Sequence, residues 1–299
     1  MTKKLFALAV LTISTAWGQL YAQDLMDMLG DDKPKTEFAY ATFKTTRVVN
    51  GQSIENPANG TLLFMISHHF GKINSGAYNF YGLDQSTIRL GLEYGLNDFV
   101  SIGIGRSSYE KTFDASLKAK ILRQRSGESN MPLSISLYSD IVLNSMHWQH
   151  PERKTNYFTS RLAFTNQLLI ARKFSNDLSL QLTPTFIHKN LVPTAKSQND
   201  IFAVGFGGRY KLTQRLAVNA EYFYLLPGNT ADTYVNSFSI GVDIETGGHV
   251  FQFHFTNAQP MFDRAFITET TGKWSKGDIY FGFNISRVFT VKKPKTFKN

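Results

Sequence analysis

The chain has 299 residues, 42% of them hydrophobic and 14% aromatic, yet its mean hydropathy is −0.21 and it contains no cysteine. Without cysteine there are no disulfides, no thiolate metal sites and no lipidated anchor. The formal charge of +9 falls to +7 without Lys3 and Lys4, and to +3 without Lys292, Lys293, Lys295 and Lys298. The basicity therefore belongs to the two ends, and no nucleic acid partner is expected, since that would need a cationic stripe along one element.

Residues 1–22 have the pattern of a signal peptide. Lys3 and Lys4 form a basic n-region, the apolar run 5–10 continues through Leu11 and Ile13, and small residues offer cleavage after Gly18 or Ala22. The run is too short to span a bilayer, and no later window approaches eighteen uninterrupted apolar residues. Export through the Sec route is expected, and the absence of cysteine suits an oxidising compartment. Residues 23–59 form a lead-in, charged from Asp24 to Lys35. Within it, 38–49 is either an extra strand or an inward segment serving as a plug, closed by the turn signal Asn50-Gly51.

From Gly60 to residue 289 a period-two pattern recurs in strand-sized units. Leu62, Phe64, Ile66 and Phe70 share one face of 61–70. Ile88, Leu90, Leu92 and Tyr94 oppose Arg89, Gly91 and Glu93, and Val100, Ile102 and Ile104 oppose Ser101, Gly103 and Gly105. Segments 113–121 and 133–141 alternate in the same way. Seven further strands are expected at 158–172, 178–189, 201–212, 216–226, 235–245, 249–258 and 278–289. Such alternation requires a sheet with two unlike faces.

The connections alternate as well. Those at 71–84, 145–157, 190–200 and 259–277 are long, whereas those near Asn97, Asn176, Gln214 and Gly247 are tight, with 125–131 as the exception. A soluble sandwich or lipocalin-like barrel would also alternate, but with polar side chains outside. Export, aromatic load, strand length and loop asymmetry together predict the membrane version. The expected fold is all-β: a transmembrane antiparallel up-and-down β-barrel of about twelve strands in the outer membrane, with both termini periplasmic. Residues 290–299 remain as a basic tail that meets anionic headgroups or stays solvated.

Several strings carry a resemblance. They are Ala41-Thr-Phe-Lys-Thr-Thr-Arg47, His68-His-Phe-Gly71, Tyr81-Gly-Leu-Asp84, Ile88-Arg-Leu-Gly-Leu-Glu-Tyr-Gly95, Gly105-Arg-Ser-Ser108 with Lys111-Thr112, and Gly277-Asp-Ile-Tyr-Phe-Gly-Phe283. Together they resemble a Bacteroidota outer-membrane β-barrel family of unknown function, domain of unknown function 5777, over nearly the whole mature chain. His69 departs from the arginine expected at its position. The resemblance implies an outer-membrane barrel and no substrate or catalytic residue.

Alternation assigns twelve charged side chains to the face away from lipid. They are Arg89, Glu93, Asp114, Lys118, Lys120, Asp140, Arg161, Arg209, Lys211, Glu221, Asp243 and Glu245, six of each sign. They are expected either to line a pore and tune its selectivity or to form an internal salt-bridge network filling a narrow lumen. His68 and His69 must face opposite sides of their strand, as must His249 and His254, and His147 and His150 meet only if their loop turns. None of these is a compelling metal site. Ser67-His68 and Ser107-Ser108 were weighed as parts of a rim hydrolase, because some twelve-stranded barrels are lipases. Gly103-x-Gly105 and Gly205-x-Gly207-Gly208 sit within strands, where glycine marks bends or close packing.

The expected function is that of a passive porin-like channel for small solutes or ions, without catalysis or cofactor. The alternatives are a non-conducting scaffold that docks a periplasmic or surface partner, and a rim hydrolase. The expected partners are outer-membrane lipid and the general barrel-assembly machinery.

Overall fold

The computed structural model describes residues 36–148, 152, 156–192, 194, 197–228 and 234–292. The expected signal peptide, the charged lead-in up to Lys35, His150 and the tail beyond Lys292 lie outside the described residues. A two-residue ladder, β1 (Glu37–Phe38) against β6 (Arg125–Ser126), forms a small unit of its own.

The other twelve strands close a barrel. In chain order they are β2 (Thr61–Lys72), β3 (Ser86–Gly95), β4 (Val100–Ser107), β5 (Phe113–Leu122), β7 (Ser134–Leu143) and β8 (Leu162–Lys173), followed by β9 (Leu178–Lys189), β10 (Asp200–Lys211), β11 (Leu216–Leu225), β12 (Ser237–Thr246), β13 (His249–Thr256) and β14 (Tyr280–Thr290). Each strand pairs antiparallel with the next, and β14 returns to β2 with Thr290 opposite Thr61 and Ile285 opposite Ile66. The expected fold class and strand count are thus observed. The expected strand at 158–172 begins only at Leu162, because Phe158–Arg161 form a 3₁₀ turn.

Closure sorts the two faces as the alternation requires. Ile104 is 61% exposed and Phe202 54%, and Leu92, Leu117, Leu137, Phe206, Ile240 and Phe255 are also exposed. Their strand neighbours Arg89, Asp114, Ser136, Gln181, Asn219 and Gln252 are buried. A protein in water does not expose an apolar belt of this extent, so the exposed belt is the lipid-facing surface of a membrane barrel.

One end of the barrel carries the tight connections, the start of β2 and the end of β14. There the Gly60 carbonyl accepts the N–H groups of Val291 and Lys292 at 3.0 and 2.9 Å, while its own N–H donates to Gly95 at 2.9 Å. Gly60 has φ +73°, and a Cβ there would lie 2.6 Å from the Lys292 carbonyl oxygen, so glycine is required where the first and last strands meet. The other end carries the longer loops. From it the segment between β13 and β14 folds back inward, and its helix α1 (Asp263–Thr268) is buried together with Ala258, Met261 and Phe262.

Ile104→Arg places a cation in the middle of the lipid-facing belt. It is expected to destabilise the barrel in bilayers by about 2–4 kcal/mol. Denaturant titration of protein folded into lipid vesicles measures this, and an unchanged midpoint would refute the assignment of that face to lipid.

Candidate functional site

The chemistry lies inside the barrel. Residues 42–54 enter from the end that carries the tight connections, reverse at Asn50-Gly51 and leave toward Gly60. Thr42, Phe43, Arg47, Val48, Val49, Asn50, Gln52, Ser53 and Ile54 are all buried. The turn is a tight hairpin, with Val48 N–H bonded to the Gly51 carbonyl at 2.8 Å and Arg47 bridged to Gln52. Glu55 clamps its base by accepting the N–H groups of Thr42 at 2.8 Å and Phe43 at 3.3 Å. Of the segment 38–49, Phe38 belongs to β1 while the part from Thr42 turns inward; the hairpin 42–54 is called the strap below.

The wall grips the strap mainly through its main chain. Glu221 accepts the N–H groups of Asn50 (2.8 Å), Gly51 (3.0 Å) and Val49 (3.2 Å). Lys118 donates to the carbonyls of Ser53 and Glu55, both at 3.1 Å, and of Thr46 at 3.4 Å. Gln181, Gln252 and Asn284 each donate to one further carbonyl, those of Gln52, Val48 and Val49. The bonds made by Glu221 and Lys118 are charge-assisted and are the strong ones. Apolar contacts add to them, with Phe43, Val48, Val49 and Ile54 packing against Tyr138, Leu169 and Ala171.

Asp263, at the start of α1, joins the two inserted segments. Its Oδ2 accepts from Gln52 Nε2 at 3.1 Å, from Arg47 Nη1 at 3.3 Å and from the Tyr138 hydroxyl at 3.4 Å, while Oδ1 accepts from Gln167 Nε2 at 3.3 Å. The carboxylate is 1% exposed. The rest of α1 is fastened by apolar packing, with Phe266 edge-on to Phe223 at 5.2 Å and a cluster of Ile187, Ile201, Ala203 and Ala258 around it.

The twelve charged residues expected inside separate into groups. Arg89, Asp114, Lys118, Asp140, Arg209, Glu221 and Asp243 are buried in the wall, whereas Glu93 and Lys120 are partly exposed. Glu245 and Lys211 lie toward the end with the tight connections, paired with Lys44 and with Asp177 (3.5 Å). Arg161 departs from its expected place. It ends the 3₁₀ turn before β8, at the long-loop end, with its guanidinium 4.0 Å from the Trp148 ring centroid. Among the twelve a mutual salt bridge is realised only at Arg89–Asp114; Lys118 and Glu221 meet strap main chain, Asp243 meets Gln252, and Arg209 donates to the Ala41 carbonyl. Gly105 makes room for that pair, as a Cβ there would stand 2.6 Å from both Asp114 oxygens.

His68 and His69 do face opposite sides. His68 stacks on the Phe283 ring at 5.1 Å, while His69 is buried and its Nε2 lies 2.8 Å from Nε2 of His254. That cross-strand pair went unforeseen because its members are 185 positions apart. Among the described residues no group of three or more metal-ligating side chains is assembled. The hydroxyl of Ser108 accepts the Ile88 N–H at 2.9 Å, and that of Ser107 accepts the Tyr109 N–H at 3.1 Å. Of the residues that hold the strap, the amides Gln252 and Asn284 were also missed. Their signal was available, as each sits mid-strand between large apolar neighbours, Phe251 and Phe253 in one case and Phe283 and Ile285 in the other.

Beside α1, at the long-loop end, a cavity of about 790 Å³ remains open. It reaches the inner wall at Val142 and Ala163 and is bordered by Arg264, Lys189 and Glu269. Arg264 bonds Glu110 and, at 3.0 Å, Glu269, which also pairs with Lys189 at 2.6 Å. Burial lowers the pKa of Arg264, but Glu269 and Glu110 outweigh it and hold the group above the usual guanidinium value. Burial, reinforced by Glu110 and Glu269, pushes the Tyr109 phenol up to about 12, so it stays a neutral donor at the cavity wall.

The sequence matches the family model described as Membrane bound beta barrel domain (DUF5777) over residues 43–289. No match is found among curated proteins. Solved structures of similar fold include the NanC porin, 6% identical with TM-score 0.45, the alignment covering 77% of this chain and 98% of that one. An outer membrane channel from Pseudomonas putida F1 is 12% identical with TM-score 0.49, covering 79% and 97%. Outer membrane phospholipase A from Escherichia coli is 9% identical with TM-score 0.41, covering 78% and 90%. At these identities the likeness is one of fold and carries no activity across.

Removing one member of a buried ion pair strands the other. Asp263→Ala is therefore expected to cost about 3–5 kcal/mol and to expose the strap to protease, whereas Arg47→Met combined with Asp263→Leu recovers part of that loss. Chemical denaturation with limited proteolysis reads both effects, and a neutral Asp263→Ala would show that the carboxylate does not hold the strap.

Proposed function

This chain belongs to the membrane-bound β-barrel family DUF5777, and from that premise we propose that it is an outer-membrane passive channel for small solutes, held shut by its own strap. The observation that carries this is a separate hairpin, residues 42–54, buried within a polar inner wall. A barrel filled for stability alone gains most from apolar packing. Here the wall around the strap offers Arg89, Asp114, Lys118, Asn219, Glu221, Asp243 and Gln252. If the hairpin withdraws, those groups are already suited to water. The open cavity beside α1 meets the inner wall at Val142 and Ala163, at the end of the barrel opposite the strap's entry.

The closed state is the resting one. Phe43, Val48, Val49 and Ile54 are each about 2% exposed, and each contributes roughly 1.5–3 kcal/mol when fully buried. Thermal opening is rare against such a sum, and a partner that engages the chain before Thr42 would supply the work. The clustering of tight connections at the end where the strap enters supports a periplasmic placement of that end, by the usual loop asymmetry of these barrels. The partner is accordingly periplasmic. No catalytic residue is assigned, and no cofactor takes part. Lipid of the outer membrane surrounds the belt, and the cell's general barrel-assembly machinery inserts it.

Planar-bilayer recording tests this. The full mature chain is expected to be silent, and the variant lacking residues 24–55 to give reproducible steps of conductance. Silence of a deletion variant that still shows heat-modifiable mobility would refute the channel and favour the non-conducting scaffold.

A further inference from the structure

The cavity at the long-loop end has the size and lining of a ligand site rather than of a leftover space. Its volume of about 790 Å³ exceeds what an inorganic ion fills and lies in the range of small-molecule pockets. Its charges do not balance. The two acids on its wall, Glu110 and Glu269, are both engaged by Arg264, and Glu269 also by Lys189. Arg161 is left over. Its Nη1 donates only to main-chain carbonyls, those of Asn144 at 3.0 Å and of Met146, and it has no carboxylate partner among the described residues.

That guanidinium is also held still. Trp148 lies flat beneath it at 4.0 Å, and the two carbonyls fix its rotation. An arginine ordered before any ligand arrives loses little freedom on binding, and its remaining N–H groups form the planar fork that matches phosphate or carboxylate. The same cavity is lined by Asn144, Ser160 and Gln259, polar groups suited to hydroxyls, and by Tyr109.

We propose that this cavity binds a small organic anion, a phosphate or carboxylate on a hydroxylated body about the size of one sugar ring, with Arg161 taking the anionic group. The site captures the ligand at the mouth of the barrel, and its occupation does not depend on whether the barrel conducts. Glu110 and Glu269 set its selectivity. They hold Arg264 and Lys189 back from the ligand, so a single charge is accepted and a more highly charged anion gains little.

Isothermal titration calorimetry on the detergent-solubilised mature protein tests the proposal, with glucose 6-phosphate, glucose, inorganic phosphate and dihexanoyl phosphatidylglycerol as probes. Glucose 6-phosphate is expected to bind at least about tenfold more tightly than glucose or inorganic phosphate, the size of one charge-assisted contact. Arg161→Gln should abolish that margin, and Glu110→Gln, which removes one of the two carboxylates that engage Arg264, should widen it. Opposite signs from the two variants separate recognition from mere loss of fold, which would weaken binding in both. Equal affinity for glucose and glucose 6-phosphate, or an unaltered margin in Arg161→Gln, overturns the site. Tighter binding of the phosphatidylglycerol overturns the soluble ligand in favour of a lipid headgroup.

Discussion

Asp263 is a carboxylate placed where almost no water reaches, and a group of that kind must be surrounded by donors or it is not tolerated. It draws those donors from three separate parts of the chain: Arg47 and Gln52 from the strap, Tyr138 from β7 and Gln167 from β8. The strap enters from one end of the barrel and α1 from the other. Their meeting at one side chain makes the contents of the barrel a single assembly, in which neither insert is fully satisfied without its counterpart.

The two inserts are nonetheless fastened by different physics. Around α1 the wall turns apolar, and Phe266, Ile267 and Ala265 are sealed against Ile187, Ala203, Phe223 and Val142. Around the strap the wall stays polar and addresses the main chain, with Glu221 collecting N–H groups and Lys118 collecting carbonyls. Main-chain bonds hold a hairpin of many sequences, so what makes this one specific is its apolar set, Phe43, Val48, Val49 and Ile54, together with Arg47. Next to Asp263 in α1, Arg264 belongs to the cavity wall. Two consecutive residues of a six-residue helix thus serve the strap and the mouth of the barrel, and a displacement of α1 at one is felt at the other.

Much of the fold was legible because a barrel wall repeats every two residues. Each strand from β2 to β14 declares its outward face by large apolar residues, and each tight connection interrupts the pattern with turn-forming ones. The inward fate of 38–49 was left open, since an apolar segment with a turn after it serves equally as an extra strand. Arg161 was misplaced because the alternation of β8 was extended four residues too far, into a turn that breaks the pattern. A subtler sign went unread: both faces are apolar at Phe186-Ile187, at Ile201-Phe202-Ala203-Val204 and at Tyr222-Phe223-Tyr224. An inner wall meant only for water has no use for Ile187, Ile201 and Phe223, and these residues mark where α1 is sealed.

By itself, then, the sequence determined the class, the strand number and which face meets lipid, because those depend on neighbours one or two positions apart. Whether the lumen is filled, and by what, was decided only in three dimensions. The strap and α1 are more than two hundred residues apart in the chain, and the donors that satisfy Asp263 come from three separate segments. No periodicity encodes that convergence, since it exists only once the sheet has closed and the inner face has become a container.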